Sequence, residues 1–407
     1  VTVHVLCVAD GHTGGAACTA LDRDALAAAA RRARQAAEAA ARSGSGGYPG
    51  LPAPSASPLG ASAFDARTAA LDPADAADAL AAAFAAADER GLTADGMWTA
   101  GDVVVGIASS HGAALTDRAT DAYLKVIARD ADGRAGFAAA AGRGVGALDG
   151  AAVARHAANK VSAAEPAVLG PGEWPVVLDA DAVGELLGQL AGLAFNGLAH
   201  AEGRGALAGR LGTAVAAPAI TITDAPAHPL AFPRAFDAEG VPKRELALVA
   251  DGVARAVAHD TRSAALAGNG AASTGHALEP GGSPWGPAPT SLVLAGGDAA
   301  SVEELAAPIE RGLYVTRLWY TNAVHERSAT VTGVTREGTF LIEDGRIAAP
   351  LRDVRFTDSV LRILEATEAL SAAQRLVSEA DFYGTRAAIG TVAPALRAGG
   401  FRISGGA

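Results

Sequence analysis

The sequence predicts an α+β fold in two domains, on three observations. Helical stretches come early and in succession. The apolar period then changes from helical spacing to two. A segment rich in proline and glycine, Ala164–Pro175, precedes a remainder dominated by hairpins. This order is not a regular βαβ alternation, so it argues against a doubly wound parallel sheet. We place the boundary so that 1–167 form an N-terminal sheet with packed helices. Residues 168–407 then form a strand-rich domain, antiparallel or mixed, around a buried helix.

Each element has a local reason. Val1–Val8 alternates as a strand and leads into a glycine-rich turn at Gly11–Gly15. A helix follows over Arg23–Arg42, with Asp22 as N-cap and Gly44 as terminator. Ser43–Ser62 is rich in Gly, Pro and Ser and reads as an extended connection. Asp72 and Pro73 open a second helix, on which Leu80 and Phe84 share a face. Met97–Ala108, Thr120–Ala128 and Ala135–Ala141 read as strands, the last two joined by a turn at Asp130–Gly133. A third helix spans Asp149–Ala163. Beyond the boundary, Trp174–Leu178 reads as a strand and Ala180–Leu198 as a helix. Hairpins are expected over Leu246–Val257, Ala329–Phe340 and Thr339–Ala348, turning at Asp251-Gly252, near Arg336-Glu337-Gly338, and at Asp344-Gly345. Strands at Ser291–Leu294 and Leu313–Tyr320 and a helix at Ser359–Leu370 complete the chain. Because Val1 already lies inside an alternating segment, the expectation is either an alternative start codon translated literally or missing upstream residues, including strands of the first domain.

Composition limits the function. The 407 residues carry 33 Lys+Arg against 44 Asp+Glu, a net charge of −11, and the isoelectric point is about 5.3. That balance argues against a protein built to grip a phosphate backbone. Only 5% of residues are aromatic, so the mean hydropathy of +0.21 reflects alanine. No transmembrane run or signal peptide is visible. Cys7 and Cys18 form neither a disulfide framework nor a metal knuckle, which suits a reducing cytoplasm.

The motifs that would announce a chemistry are missing. The sequence has no H-E-x-x-H and no G-x-S-x-G. Its nine histidines are scattered. His200 with Glu202, His259 with Asp260 and His325 with Glu326 read as solvated loop charges. Gly268-Asn269-Gly270-Ala271-Ala272-Ser273 lacks the strand and helix of a dinucleotide fingerprint. Arg31, Arg32 and Arg34 read as a solvated helix face. The Ala180–Leu198 helix is the informative place. It is apolar nearly all round and so reads as buried. Gly188 and Gly192 read as points of close helix packing, and Gln189 and Asn196 as one polar face seven residues apart.

At this helix the chain resembles the TldD/PmbA family of metallopeptidase-type proteins, once called modulators of DNA gyrase. The resemblance covers nearly the whole chain. Its supporting segments are Phe64–Ala69, Phe236–Pro242, Gly297-Asp298-Ala299 with Glu303-Glu304-Leu305, Gly338–Gly345, Arg355–Ser359 and Pro394–Arg397. In the TldD-like subunits of that family, H-E-x-x-x-H on this helix and a late cysteine hold a metal. Here Gly188, Gln189 and Leu193 stand at the three motif positions, and Ser378–Gly384 contains no cysteine. The resemblance therefore implies a PmbA-like (TldE-like) subunit without catalytic residues, metal ligands or cofactor of its own. It would pair with a zinc-bearing TldD-like metallopeptidase subunit and act with it on unfolded or short peptides. Nucleic acid and membrane are not expected partners. Gln189, Asn196, Trp319 and Tyr320 would line a degenerate substrate pocket. Two alternatives are a peptide- or natural-product-maturation enzyme with non-zinc chemistry, and a self-associating binding module.

Overall fold

The computed structural model describes residues 1–44, 47–55, 63–378, 381–382, 385–386 and 388–407. The chain opens with a hairpin of β1 (Val3–Ala9) and β2 (His12–Cys18). Asp10 and Gly11, both at positive φ, make the turn. The turn is therefore tighter than Gly11–Gly15, and Gly14 lies inside β2. The helix α1 (Arg23–Ser43) packs so closely there that a Cβ on Gly14 would stand 2.1 Å from the Ala37 nitrogen. That approach is possible because α1 buries only Ala29, Ala33 and Ala37. Asp22 caps the helix, Gly44 ends it in the left-handed region, and Arg31, Arg32 and Arg34 point to solvent. Cys7 and Cys18 pair in register with Gly14 and Val3, not with each other. Of the expected Ser43–Ser62 connection, 45–46 and 56–62 lie outside the described residues.

A short α2 (Ala66–Ala69) precedes α3 (Pro73–Asp88), which Asp72 caps. Its buried positions are Ala83, Ala86 and Ala87; Leu80 packs half-buried against this core, whereas Phe84 is 52% exposed. Next come β3 (Thr93–Ala108), β4 (Ala114–Arg129) and β5 (Ala135–Gly142), an antiparallel sheet. The helix α4 (Gly150–Ala158) stops five residues earlier than expected. Together α3 and α4 cover one face of this sheet, around Leu124, Val126 and Val153.

The remainder begins with β6 (Gly172–Leu178), α5 (Ala180–Leu193), α6 (Gly197–Ala201), β7 (Ile222–Asp224), β8 (Leu246–Ala250) and β9 (Val253–Ala254). It continues with α7 (Thr261–Ala267), β10 (Ser291–Leu294), α8 (Val302–Ala306), β11 (Arg311–Val315), β12 (Leu318–His325), β13 (Thr330–Thr335), β14 (Thr339–Glu343) and β15 (Arg346–Pro350). Last are β16 (Val354–Ser359), α9 (Val360–Glu365), β17 (Thr367–Val377), β18 (Asp381–Phe382), β19 (Thr385–Arg386) and β20 (Gly390–Gly406).

All but the β18–β19 pair join one mixed sheet of thirteen strands among the described residues. Its main path runs β15-β14-β11-β6-β20-β10-β7-β8-β9. The long β20 also pairs with β16 and β17, and β16 leads on through β13 to β12.

Several expectations change here. The Ala180–Leu198 helix is two helices. Leu313–Tyr320 is two strands, interrupted at Thr316-Arg317. The 329–340 segment is not a hairpin: β13 pairs with β12 and β16, whereas β14 pairs with β11 and β15. Glu337 between them sits at positive φ, buried and paired with Arg317, which turns the chain from one arm of the sheet to another. The Ser359–Leu370 helix ends at Glu365, and Thr367 onward is strand. The core packs α5 against the sheet through Leu186, Leu187, Leu190, Phe195, Phe356 and Phe401. Arg386 bridges to the first sheet, bonding the Asp121 carboxylate and the Thr99 hydroxyl. No described helix is long and apolar enough to cross a membrane.

Candidate functional site

The helix α5 is buried on one side and open on the other. Leu186, Leu187 and Leu190 are at most 2% exposed. Gly188 and Gly192, one turn apart, are exposed, and a Cβ on either would meet nothing within 4 Å. They are therefore not packing contacts. Gly184 has that role: its added Cβ would stand 2.7 Å from the Val377 side chain. Asp181, Glu185 and Gln189 flank the open stripe and are half-buried.

The N-terminal end of the stripe is charged and internally paired. Asp179 accepts from its own helix nitrogen at Ala180 (2.7 Å) and from the Tyr314 hydroxyl (3.0 Å). Arg375 reaches Asp179 at 3.4 Å and Asp181 at 3.0 Å. Burial opposes ionisation of Asp179, but Arg375 and Lys160 outweigh it and hold the carboxyl below its ordinary range. Burial lowers the Lys160 ammonium to about 8; it donates to the Phe137 carbonyl at 2.6 Å.

Gln189 lies mid-stripe and donates to the Thr321 carbonyl on β12 at 3.2 Å. Beside it the Thr321 hydroxyl is buried without a hydrogen-bond partner. Tyr320, at the start of β12 and not at a strand's end, stands at φ 52° and is 77% exposed. A bulky residue in the left-handed region stores about 1–2 kcal/mol of strain. The register shift between Trp319 and Asn322 accommodates it, and the Asn322 amide bonds the Tyr320 carbonyl at 2.8 Å. Trp319 is half-buried, with Arg317 4.5 Å and Arg336 5.7 Å from its ring centre.

Asn196 does not share a face with Gln189. The α5 helix ends at Leu193, and Asn196 is the N-cap of α6. Its side-chain oxygen accepts from the Leu198 and Ala199 nitrogens, and its amide donates to the Trp285 carbonyl at 2.6 Å. Trp285 itself is 81% exposed. Sequence reasoning missed it, although a tryptophan among Pro284, Gly286 and Pro287 signals a surface loop.

His325 and Glu326 are exposed, as expected of solvated charges, whereas the other two histidines are not. His200 lies in α6 with its Nδ1 buried and unpartnered. Asp260 is 1% exposed and caps α7 in a capping box, and His259 bonds Ser263. Among the described residues, no three His, Cys, Asp or Glu converge to hold a metal. The late Ser378–Gly384 stretch lies partly outside the described residues.

The sequence profile of the PmbA/TldA metallopeptidase C-terminal domain matches residues 171–405. The chain belongs to the PmbA/TldD family. A metalloprotease of Methanothermobacter thermautotrophicus is 27% identical over 212 residues, 50% of this chain and 44% of that protein. The chain thus matches less than half the length of this curated relative. The crystal structure of TldE from Thermococcus kodakarensis matches with a TM-score of 0.81 at 21% identity, over 99% of this chain and 90% of that one. A Thermotoga maritima protein described as a candidate modulator of DNA gyrase matches with a TM-score of 0.83 at 20% identity, over 99% and 89%. The PmbA/TldD fold is therefore present throughout. The metallopeptidase description implies a metal, and the helix residues do not fit one. Gly188 has no side-chain donor, Gln189 is a neutral amide, and Leu193 is an apolar residue, 7% exposed.

Proposed function

We propose that this chain is a non-catalytic, TldE-like subunit of a metallopeptidase complex. It pairs in the cytoplasm with a TldD-like chain that carries the zinc, and the two enclose a chamber for unfolded or short peptides. We read 1–167 and 168–407 as its two domains. One observation supports this reading above the others. The α5 helix keeps an open stripe facing solvent, and that stripe presents Gly188 and Gly192 where a peptidase would present ligands. The fold retains the place for chemistry while the side chains cannot perform it. An extended peptide needs backbone partners and room more than side-chain chemistry. Two glycines supply the room. The strained, exposed Tyr320 and the Gln189 amide supply contacts beside it, with Trp319 farther along β12.

The test is zinc content and peptide hydrolysis of the purified chain, alone and with the nearest TldD-like chain of its organism. The expected result is no zinc and no hydrolysis alone, with about one zinc per pair and hydrolysis by the pair. Stoichiometric zinc or peptide hydrolysis in this chain alone overturns the proposal.

A further inference from the structure

A second place in the molecule carries a hydroxyl, an imidazole and a carboxylate in series. The Thr274 Oγ1 lies 2.9 Å from the His276 Nδ1, and the His276 Nε2 lies 2.8 Å from the Asp224 Oδ2. Asp224 and His276 are at most 1% exposed. Lys243, 2% exposed, stands 3.3 Å from the same carboxylate oxygen and also bonds the Thr290 hydroxyl. The other oxygen of Asp224 accepts from the Thr290 and Ser291 nitrogens, at 3.0 and 2.7 Å.

The proton positions follow from this arrangement. Burial opposes ionisation of Asp224, but the Lys243 charge and the His276 and Ser291 bonds outweigh it, so the group stays a carboxylate. A carboxylate only accepts, so the His276 Nε2 carries the hydrogen. Burial, with Lys243 nearby, keeps the imidazole neutral. Its Nδ1 is then a bare acceptor, and the contact at 2.9 Å requires the Thr274 hydroxyl to donate. The Thr274 oxygen meanwhile accepts from the His259 nitrogen at 2.7 Å, which stabilises negative charge on it. The His259 carbonyl, 3.1 Å away, is the other acceptor within reach of the hydroxyl.

Thr274 is the member of this series that borders a cavity. Thr274 is half-buried and lines a cavity of about 480 Å³, the size that takes a small ligand. Pro52, Ala53, Val241, Pro242 and Leu246 give it apolar walls, and Arg244 and Glu245 place one charge of each sign on its lining.

We propose that Thr274 is an acyl-accepting nucleophile, with His276 as its base and Asp224 as the orienting carboxylate, acting on small esters with an apolar acyl group. In the first step the Thr274 oxygen bonds to the ester carbonyl carbon while its proton passes to the His276 Nδ1. The carbon–oxygen bond to the alcohol breaks, and the alcohol leaves with that proton. Water then attacks the acyl-threonine, gives its proton to the imidazole, and releases the carboxylic acid and free Thr274. The sum is ester plus water to acid plus alcohol, with no metal; the TldE-like reading denies this chain peptidase chemistry at α5, and the activity proposed here is a separate one at a separate site.

The experiment treats the full chain with p-nitrophenyl acetate in the presence of a metal chelator and maps acetylation by peptide mass spectrometry. The expected result is one acetyl group on Thr274 and a nitrophenolate burst of one equivalent. T274S keeps the burst, and T274V, which has no hydroxyl to acylate, abolishes it. No adduct, an adduct only on other residues, or an undiminished T274V overturns the proposal. The mapping uses the unaltered chain, so it decides even if a variant fails to fold.

Discussion

Replacing Asn196 with alanine separates a structural role from a pocket role. The residue is 4% exposed and makes three hydrogen bonds, two as the cap of α6 and one to the Trp285 carbonyl. Losing an Asn cap costs about 1 kcal/mol. Leaving the Trp285 carbonyl without its donor costs about 1 kcal/mol more. The sum, about 2 kcal/mol, corresponds to a fall in melting temperature of about 4–8 °C in an unfolding unit the size of the matched 171–405 region. N196S keeps a capping oxygen but cannot reach Trp285, so it is expected to lose about half as much. The assay is a thermal melt followed by circular dichroism on the three chains, with hydrolysis by the proposed complex with a TldD-like chain measured below the lowest melting temperature. The structure predicts a graded loss of stability with hydrolysis per folded complex unchanged. An N196A chain that melts with the parent would falsify the capping argument, and lost hydrolysis at full stability would return Asn196 to the pocket.

Two further outcomes follow from the same coordinates. G188A and G192A are each expected to stabilise the chain by up to about 1 kcal/mol, because alanine is the better helix former and nothing stands within 4 Å of the added carbon. G184A is expected to cost about 1–3 kcal/mol against Val377; denaturant melts showing all three equally harmful would mean that the open stripe is covered. Burial raises the Asp237 carboxyl to about 6 from an ordinary value of 3.8. Between those values the folded chain holds a proton that the unfolded chain has released, so stability falls as pH rises from about 4 to 6. The loss is complete above 6 and is worth about 3 kcal/mol. Melting temperatures of D237N and the parent are expected to shift in the variant's favour over that range, and parallel curves would refute the assignment.

Local signals in the sequence were readable where local chemistry decides. Asp22, Asp72 and Asp149 cap the three helices predicted for the N-terminal part. Asp344-Gly345 and Asp251-Gly252 make the two hairpins their positive-φ requirement announces. The Arg336-Glu337-Gly338 turn has the same composition, yet it joins strands that do not pair. Its fate depends on Arg317 and on partners distant in sequence. The same holds for β20, whose neighbours β6, β10, β16 and β17 end between 13 and 212 residues before it begins. Periodicity cannot report such pairings, because each strand carries the pattern of its face and not the address of its partner.

The site divides along the same line. The residues at the three positions where the resemblance places the metallopeptidase motif, Gly188, Gln189 and Leu193, could be read from the sequence alone. Whether those glycines touch a neighbour could not. A glycine in an apolar helix looks the same under a packed strand and beside empty space. Only the assembled sheet shows that Gly184 meets Val377 while Gly188 and Gly192 meet nothing. The break after Leu193 is tertiary as well. Ala194 and Phe195 would continue a helix by propensity, but Phe195 is fully buried and its carbonyl bonds Ala258. The sequence by itself determined the caps at Asp22 and Asp72, the turns at Asp251-Gly252 and Asp344-Gly345, and that neither histidine nor carboxylate stands at Gly188, Gln189 and Leu193, because these depend on residues adjacent in the chain. The tertiary structure decided which face of α5 is open and that Thr274, His276 and Asp224 stand in line, because both depend on what long-range pairing brings alongside.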